Sequence, residues 1–325
     1  MNTRRSGSLR RHRIPGIAVA AVTALGLGTL SACSAESAAA GGPGTFDVVA
    51  SFYPMAFLAE RIGGAHVHVT DLTQPGQEPH DLEISARQMA GLQDSDAVLY
   101  LRNLQPSVDD AIAQSEVRTK IDAGTLTTLE EHGNEVGGHA AAHDTSTNDE
   151  EAGKDPHIWL DPVRYAQVAQ GVGAAFEKAD PAHAAAYRKN TATLVEQLGD
   201  LDTRYREGLA HTTSKVFVTT HAAFGYLAER YGLTEEAING LDPESEPSAA
   251  RIKDLEHIAK ADGVTTVFYE TLVSDKTAKT VAGDTGLRTD VLDPVEGITA
   301  TSRGKDYFAV MDANLTALRT ALGAK

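Results

Sequence analysis

AHAAAYRKNTATLVEQLGDLDTRYREGLA, residues Ala182–Ala210, repeats its apolar side chains at three- and four-residue steps along its whole length. Asp180-Pro181 opens it, a cap followed by a proline in the first turn. The spacing predicts one helix about 40 Å long at ~1.5 Å per residue. A crossover between neighbouring strands needs less, so the helix has to connect something larger.

Both flanks answer the question in the same way. Upstream, FDVVAS reads as a strand, MAFLAERIGG as a helix, VHVTDL as a strand, ISARQMAGLQDS as a helix, DAVLYL as a strand, SVDDAIAQS as a helix and LTTLEE as a short strand. The helix DPVRYAQVAQGVGAAFEKAD follows. Downstream, VFVTTH, EAING, VTTVFYE and LRTDVLD read as strands between helical segments, and DYFAVMDANLTALRTAL as a last helix. Such alternation specifies α/β architecture with parallel sheets. The expected fold is two small parallel-sheet α/β lobes joined by one long rigid helix: an N-terminal lobe over 46–179, a linking helix over 180–211 and a C-terminal lobe over 212–325.

One stretch breaks the alternation. From Glu130 to His157 there is almost no apolar periodicity, only breakers, acids and histidines. It reads as a long mobile surface loop over 130–156. Its His132, His139 and His143 suit weak, exchangeable metal binding.

The N-terminus is a targeting segment. A basic MNTRRSGSLRRHR precedes the apolar Ile17–Leu30, which is short for a bilayer span. Leu30-Ser31-Ala32-Cys33 then reads as a bacterial lipobox, giving a signal peptide over 1–32, lipid on Cys33 and a flexible tether over 33–45. Cys33 is the single cysteine, so no internal disulfide forms. The net charge is −16, and losing the five arginines of the signal peptide takes it to −21. That balance argues against nucleic acid and suits a protein that handles cations.

Ligands of parallel sheets gather at the carboxyl ends of strands. Four such ends carry metal-type side chains: His80 in QPGQEPHDLE, His157 in DPHIWLDP, His221 closing VFVTTH, and Asp293 with Glu296 in VLDPVEG. Three imidazoles and one carboxylate suit tetrahedral Zn²⁺, with bonds of ~2.0–2.2 Å, whereas Mn²⁺ asks for more oxygen. Spacing leaves open whether Asp293 or Glu296 is the fourth donor. It also leaves open whether Asp155 or Asp161 holds the second ring nitrogen of His157. His66 and His68 read as a solvated strand face, and His183, His211 and His257 as surface residues. Four donors leave no open position for a catalytic water, and neither H-E-x-x-H nor G-x-S-x-G occurs. An enzyme is not expected. Binding needs neutral imidazoles, so affinity is expected to fall below about pH 6.5.

The lipobox, PGQEPHDLEIS, DPHIWLDP, VTTHAAFGYLAERYGL, FYETLVSDKTAKTVAGDTG and VLDPVEGI occur in that order. Together they resemble the metal-specific (zinc/manganese) solute-binding lipoprotein family of bacterial ABC transporters, from Phe46 to the C-terminus. The resemblance implies a metal held between two lobes with small hinge motion. It implies His80, His157 and His221 as the first three ligands, and Glu296 as the fourth with Asp293 as alternative. Histidine rather than glutamate at position 221 points to the zinc branch over the manganese one. Also implied are an ABC permease as partner, a monomer lipid-anchored to the outer face of the cell membrane, and a loop that gathers or senses metal. Some streptococcal members are called adhesins, so a metal-dependent adhesin is the alternative reading.

Overall fold

The computed structural model describes residues 45–132, 154–245 and 247–325. The expected signal peptide, Cys33, nearly all of the tether, and the loop residues His139 and His143 lie outside the described residues.

The first sheet is built from β1 (Phe46–Ala50), β2 (Val67–Asp71), β3 (Ala97–Tyr100) and β4 (Thr119–Asp122), joined by α1 (Tyr53–Gly63), α2 (Ala86–Asp94) and α3 (Pro106–Gln114). The second is built from β5 (Val216–Thr219), β6 (Thr234–Ala237), β7 (Thr266–Tyr269) and β8 (Arg288–Val291), joined by α6 (Gly225–Tyr231), α7 (Ala249–Ala261) and α8 (Lys276–Thr285). Every pairing is parallel, and the two strand orders, β2-β1-β3-β4 and β6-β5-β7-β8, are the same topology used twice. Each sheet reverses direction between its first and third strands, and the carboxyl edge there is the usual ligand crevice.

Alternation along the strands sorts their side chains between two faces. Val48 and Ala50 of β1, Phe217 of β5 and Phe268 of β7 enter one shared core. Val49, Val98 and Tyr100 face a separate cluster with α2 and α3. Val218 and Val267 face another with α7 and α8.

The shared core lies under α4 (Pro162–Ala179), α5 (Ala184–Leu209) and α9 (Tyr307–Ala321). A 3-10 turn over Pro181–His183 leads into the 26 residues of α5. Its buried positions, Tyr187, Thr191, Leu194, Leu198, Leu201, Tyr205 and Leu209, fall on one stripe at steps of three and four. The long helix is therefore seated on both halves of the molecule. Tyr205 Oη also donates to the Met311 carbonyl on α9 at 2.7 Å.

Two strand readings need correction. The fourth strand is Thr119–Asp122, and LTTLEE forms no strand, only the end of a 3-10 turn over Ala123–Leu126. The true strand is a four-residue edge with Ile121 as its one strongly apolar side chain, too little for an alternating pattern to register. The strand expected at EAING lies earlier, at Thr234–Ala237. There Glu235 is buried between Thr219 Oγ1 and the Phe224 amide, so an internal charge disguises the pattern.

Candidate metal centre

DPHIWLDP is locked from both ends. Asp161 caps α4 by accepting from the Val163 amide at 2.9 Å, with Pro162 at the first helical position. Ile158–Leu160 form one 3-10 turn. Trp159 is fully buried, and its indole Nε1 donates to the Pro294 carbonyl at 2.6 Å. That bond ties this segment to VLDPVEG, which carries Glu296. Val295, beside Glu296, has φ +61°, a left-handed conformation rare for a β-branched residue. Asp293 holds the turn: its Oδ1 accepts from the Val295 amide and its Oδ2 from Thr271 Oγ1, both at 2.8 Å.

The geometry brings His80, His157, His221 and Glu296 together, each offering one ligand atom within 4.8 Å of the others. Glu296 Oε1 is 3.4 Å from His80 Nε2, 3.4 Å from His157 Nε2 and 3.9 Å from His221 Nε2. The edge of a tetrahedron with bonds of ~2.1 Å is ~3.4 Å. All three Nε2 atoms and both Glu296 oxygens are buried without a hydrogen-bond partner. Buried polar atoms are rarely left unpaired, and five around one point are what a cation would satisfy. Asp293 is not in the set, because both its oxygens serve the turn.

The far ring nitrogens are held. Asp155 Oδ1 accepts from His157 Nδ1 at 2.7 Å, and Glu270 Oε1 from His221 Nδ1 at 2.8 Å. These contacts fix the tautomers that aim Nε2 inward. Of the two aspartates left open by the sequence, Asp155 is the partner of His157. Glu270, directly after β7, went unnoticed in the sequence. It sits across the β5/β7 reversal from His221, and its signal was an acid at the carboxyl end of a buried strand. His80 is the rim of the site, with 13% of its side chain exposed against 2% or less for the other three. Its amide donates to Glu78 Oε1 at 3.0 Å.

Burial opposes charge on His157, but the Asp155 hydrogen bond and the nearby Glu296 carboxylate outweigh it and carry the imidazole up to about 10. Burial likewise opposes charge on His221, yet the Glu270 carboxylate raises it to about 8. Glu296 is held well below the usual carboxylate range, its burial outweighed by His157, His80 and His221. Burial, then the Glu296 charge, pushes Glu78 up to about 8. Without a cation the centre thus holds protons.

His132 is not at this centre. Its Nδ1 lies 3.1 Å from Asp155 Oδ2, so one carboxylate serves both His157 and His132. Glu130 and Glu229 lie beside His132. The Arg164 guanidinium is on Glu130 and 3.8 Å from Glu229, which makes that cluster an ion-pair network. His66 and His68 do not meet. His66 stacks on His183 with ring centroids 4.2 Å apart, and His68 faces Asp47.

Residues 48–321 match the family model described as zinc-uptake complex component A, periplasmic. The zinc-binding lipoprotein AdcA of Streptococcus pneumoniae (strain ATCC BAA-255 / R6) is 35% identical over 296 residues, covering 89% of this chain and 58% of that protein. This chain thus spans under two thirds of the length of that streptococcal relative. The high-affinity zinc uptake system protein ZnuA of Bacillus subtilis (strain 168) is 33% identical over 316 residues, covering 92% of this chain and 98% of that protein. Among solved structures, the Zn(II)-bound ZnuA-like domain of Streptococcus pneumoniae AdcA superimposes with a TM-score of 0.71 at 33% identity, over 86% of this chain and 99% of that one.

Proposed function

The chain belongs to the periplasmic component A family of zinc-uptake complexes, and from that premise we propose that it is an extracytoplasmic receptor that captures Zn²⁺ and hands it to an ABC permease. In this reading His80, His157 and His221 bind through Nε2 and Glu296 through its carboxylate. Asp155 and Glu270 orient two of the imidazoles. Residues 46–179 and 212–325 act as the two lobes and 180–211 as the helix between them. Lipid on Cys33 anchors the protein to the outer face of the cell membrane. The metal is cargo: four protein donors complete a tetrahedron and leave no position for an activated water, so the protein is a carrier and not an enzyme.

The observation that carries this reading is the convergence of three unpartnered imidazole nitrogens on an unpartnered buried carboxylate. Nitrogen-rich donors favour Zn²⁺ over Mn²⁺. The test is a competitive titration of metal-stripped protein with Zn²⁺ and Mn²⁺ against a chelator of known affinity. One tight Zn²⁺ per chain with poor Mn²⁺ competition is expected. Equal or better Mn²⁺ binding would overturn the zinc assignment.

A further inference from the structure

Every polar atom of Asp155 has a partner. Its amide donates to the Glu130 carbonyl at 2.9 Å, and its own carbonyl accepts from Tyr226 Oη at 2.8 Å. Its Oδ1 accepts from the His157 amide at 2.9 Å and from His157 Nδ1 at 2.7 Å, and its Oδ2 faces His132 Nδ1 at 3.1 Å. Asp155 is fully buried. The carboxylate that orients His157 thus takes its own position from outside DPHIWLDP, and one of its supports comes from the opposite half of the molecule.

That support is Tyr226, in the first turn of α6 and five residues after His221. Its hydroxyl accepts from the Glu130 amide at 2.8 Å while it donates to the Asp155 carbonyl. A phenol has one proton to give and lone pairs to receive, so one oxygen pins Glu130 and Asp155 side by side. The ring is held as well. It is buried, His132 meets it at 86° with centroids 4.5 Å apart, and the Arg164 guanidinium lies 4.7 Å from its centre.

A buried tyrosine that satisfies backbone groups is ordinary. Tyr205 is such a case, tying α5 to the Met311 carbonyl of α9. Tyr226 differs in where its bonds end. It reaches the residue that orients one imidazole of the centre, from the helix that follows another.

We propose that Tyr226 is a positioning residue for zinc, setting His157 of the first half against His221 of the second through the Asp155 backbone. Ligands already held at their binding distance lose less freedom when the ion arrives. The inference rests on the reading of His157 and His221 as zinc ligands.

The experiment takes the full chain, stripped of metal, and first measures tight Zn²⁺ binding to the wild type by chelator competition. Tyr226→Phe keeps the ring and removes both hydrogen bonds. It should weaken Zn²⁺ by about tenfold, the low end of what losing an orienting partner costs. Tyr205→Phe is the matched control: it also removes a buried hydroxyl-to-carbonyl bond, and should lower the Tm while leaving the zinc competition curve in place. With Co²⁺ in place of zinc, the visible ligand-field bands should shift in Tyr226→Phe and stay fixed in Tyr205→Phe. If Tyr226→Phe does not fold, amide hydrogen exchange on the wild type decides. Zinc should slow exchange of the Glu130 amide more than that of the Asp180 amide, which bonds to Phe176 at the far end of α4. Equal zinc affinity in wild type and folded Tyr226→Phe, unshifted bands, or equal slowing of the two amides each reduces Tyr226 to a core tyrosine and overturns this proposal alone. Absence of tight zinc in the wild type overturns both readings.

Discussion

Arg230 closes on Asp161 from the opposite half of the molecule. Its Nε lies 3.0 and 2.9 Å from the two carboxylate oxygens, and its Nη2 lies 2.6 Å from Oδ2. Asp161 is 1% exposed and caps α4, while Arg230 sits on α6 beside the second sheet. One carboxylate therefore ends a helix in one lobe and receives a forked cation from the other. Removing the guanidinium leaves the buried Asp161 carboxylate with only the Arg164 Nε, 3.5 Å away, and the Val163 amide. Arg230→Gln should cost roughly 2 kcal/mol, a drop of several degrees in Tm. Arg230→Lys should recover only part, because a point charge cannot fork. Asp161→Asn keeps the cap and loses the ion pair, so Asp161→Ala should cost a further ~1 kcal/mol. Thermal melts of the four proteins check the set; equal melting temperatures would remove the clamp from the stability argument.

The proposed ligands and the turn residue Asp293 are expected to respond differently to substitution. His157→Ala, His221→Ala and Glu296→Gln should each weaken Zn²⁺ by about 100-fold or more, since each removes one of four donors. Asp155→Asn should weaken it by about 10–100-fold through the orientation of His157. Asp293→Ala should instead lower stability by about 1–3 kcal/mol, because it leaves the Val295 amide without its acceptor. Chelator competition and melting curves on the same samples distinguish the two patterns. An Asp293 variant that lost zinc with its Tm intact would reverse their roles.

Much of this site was legible in the sequence, and the reason is specific. His221 follows a strongly patterned strand, and Asp-Pro steps mark the turns around His157 and Glu296. The repeated strand-helix alternation and the one-sided stripe of α5 fixed the architecture for the same reason. What failed to register depends on contacts between distant residues. β4 is an edge strand recognisable only through its pairing with β3. Glu270 and Glu78 matter because of what folds against them. The proposal of Glu296 rather than Asp293 as fourth ligand rests on two hydrogen bonds of Asp293 that only the folded turn reveals.

The pH dependence of metal capture should extend higher than free imidazole suggests. His157 and His221 sit at about 10 and about 8, against an ordinary 6.5. Zn²⁺ must displace those protons, so its affinity should keep rising through pH 8, with protons released on binding near neutrality. The metal-free protein should show the opposite trend in stability. Charged His157 and His221 stabilise the fold fully below about 6.5, and that contribution is lost as pH rises through about 8 and then about 10. Glu296, depressed in the fold, contributes above its ordinary 4.5 and loses that contribution as pH falls. The Tm of metal-free protein should decline from pH 6.5 to 9, while the zinc-loaded form holds steady. Calorimetry in buffers of different ionisation enthalpy counts the protons; zero release at pH 7 would contradict the raised values.

Gly225 is required by its neighbours. A Cβ there would lie 2.5 Å from His132 Cβ and 3.1 Å from Asp155 Oδ2. Gly225→Ala should cost about 1–3 kcal/mol by overpacking. It should also weaken zinc, because the displaced His132 and Asp155 support His157. His132→Ala in the same background should restore the Tm in part. No rescue would mean that the strain lies elsewhere.

The core beneath α5 has a calorimetric signature. Because Phe217 and Phe268 of one sheet share it with Val48 and Ala50 of the other, the halves cannot swing apart without wetting apolar surface. Loading the metal should therefore bury little new hydrocarbon, and its heat-capacity change should be close to zero, unlike the negative value of a jaw that snaps shut. For the same reason the described halves should melt in one endotherm with matching calorimetric and van't Hoff enthalpies. Exchange of the ion then falls to local opening at the His80 rim, a small door in a stiff wall, and the residence time of the cargo is the lifetime of that door's closed state.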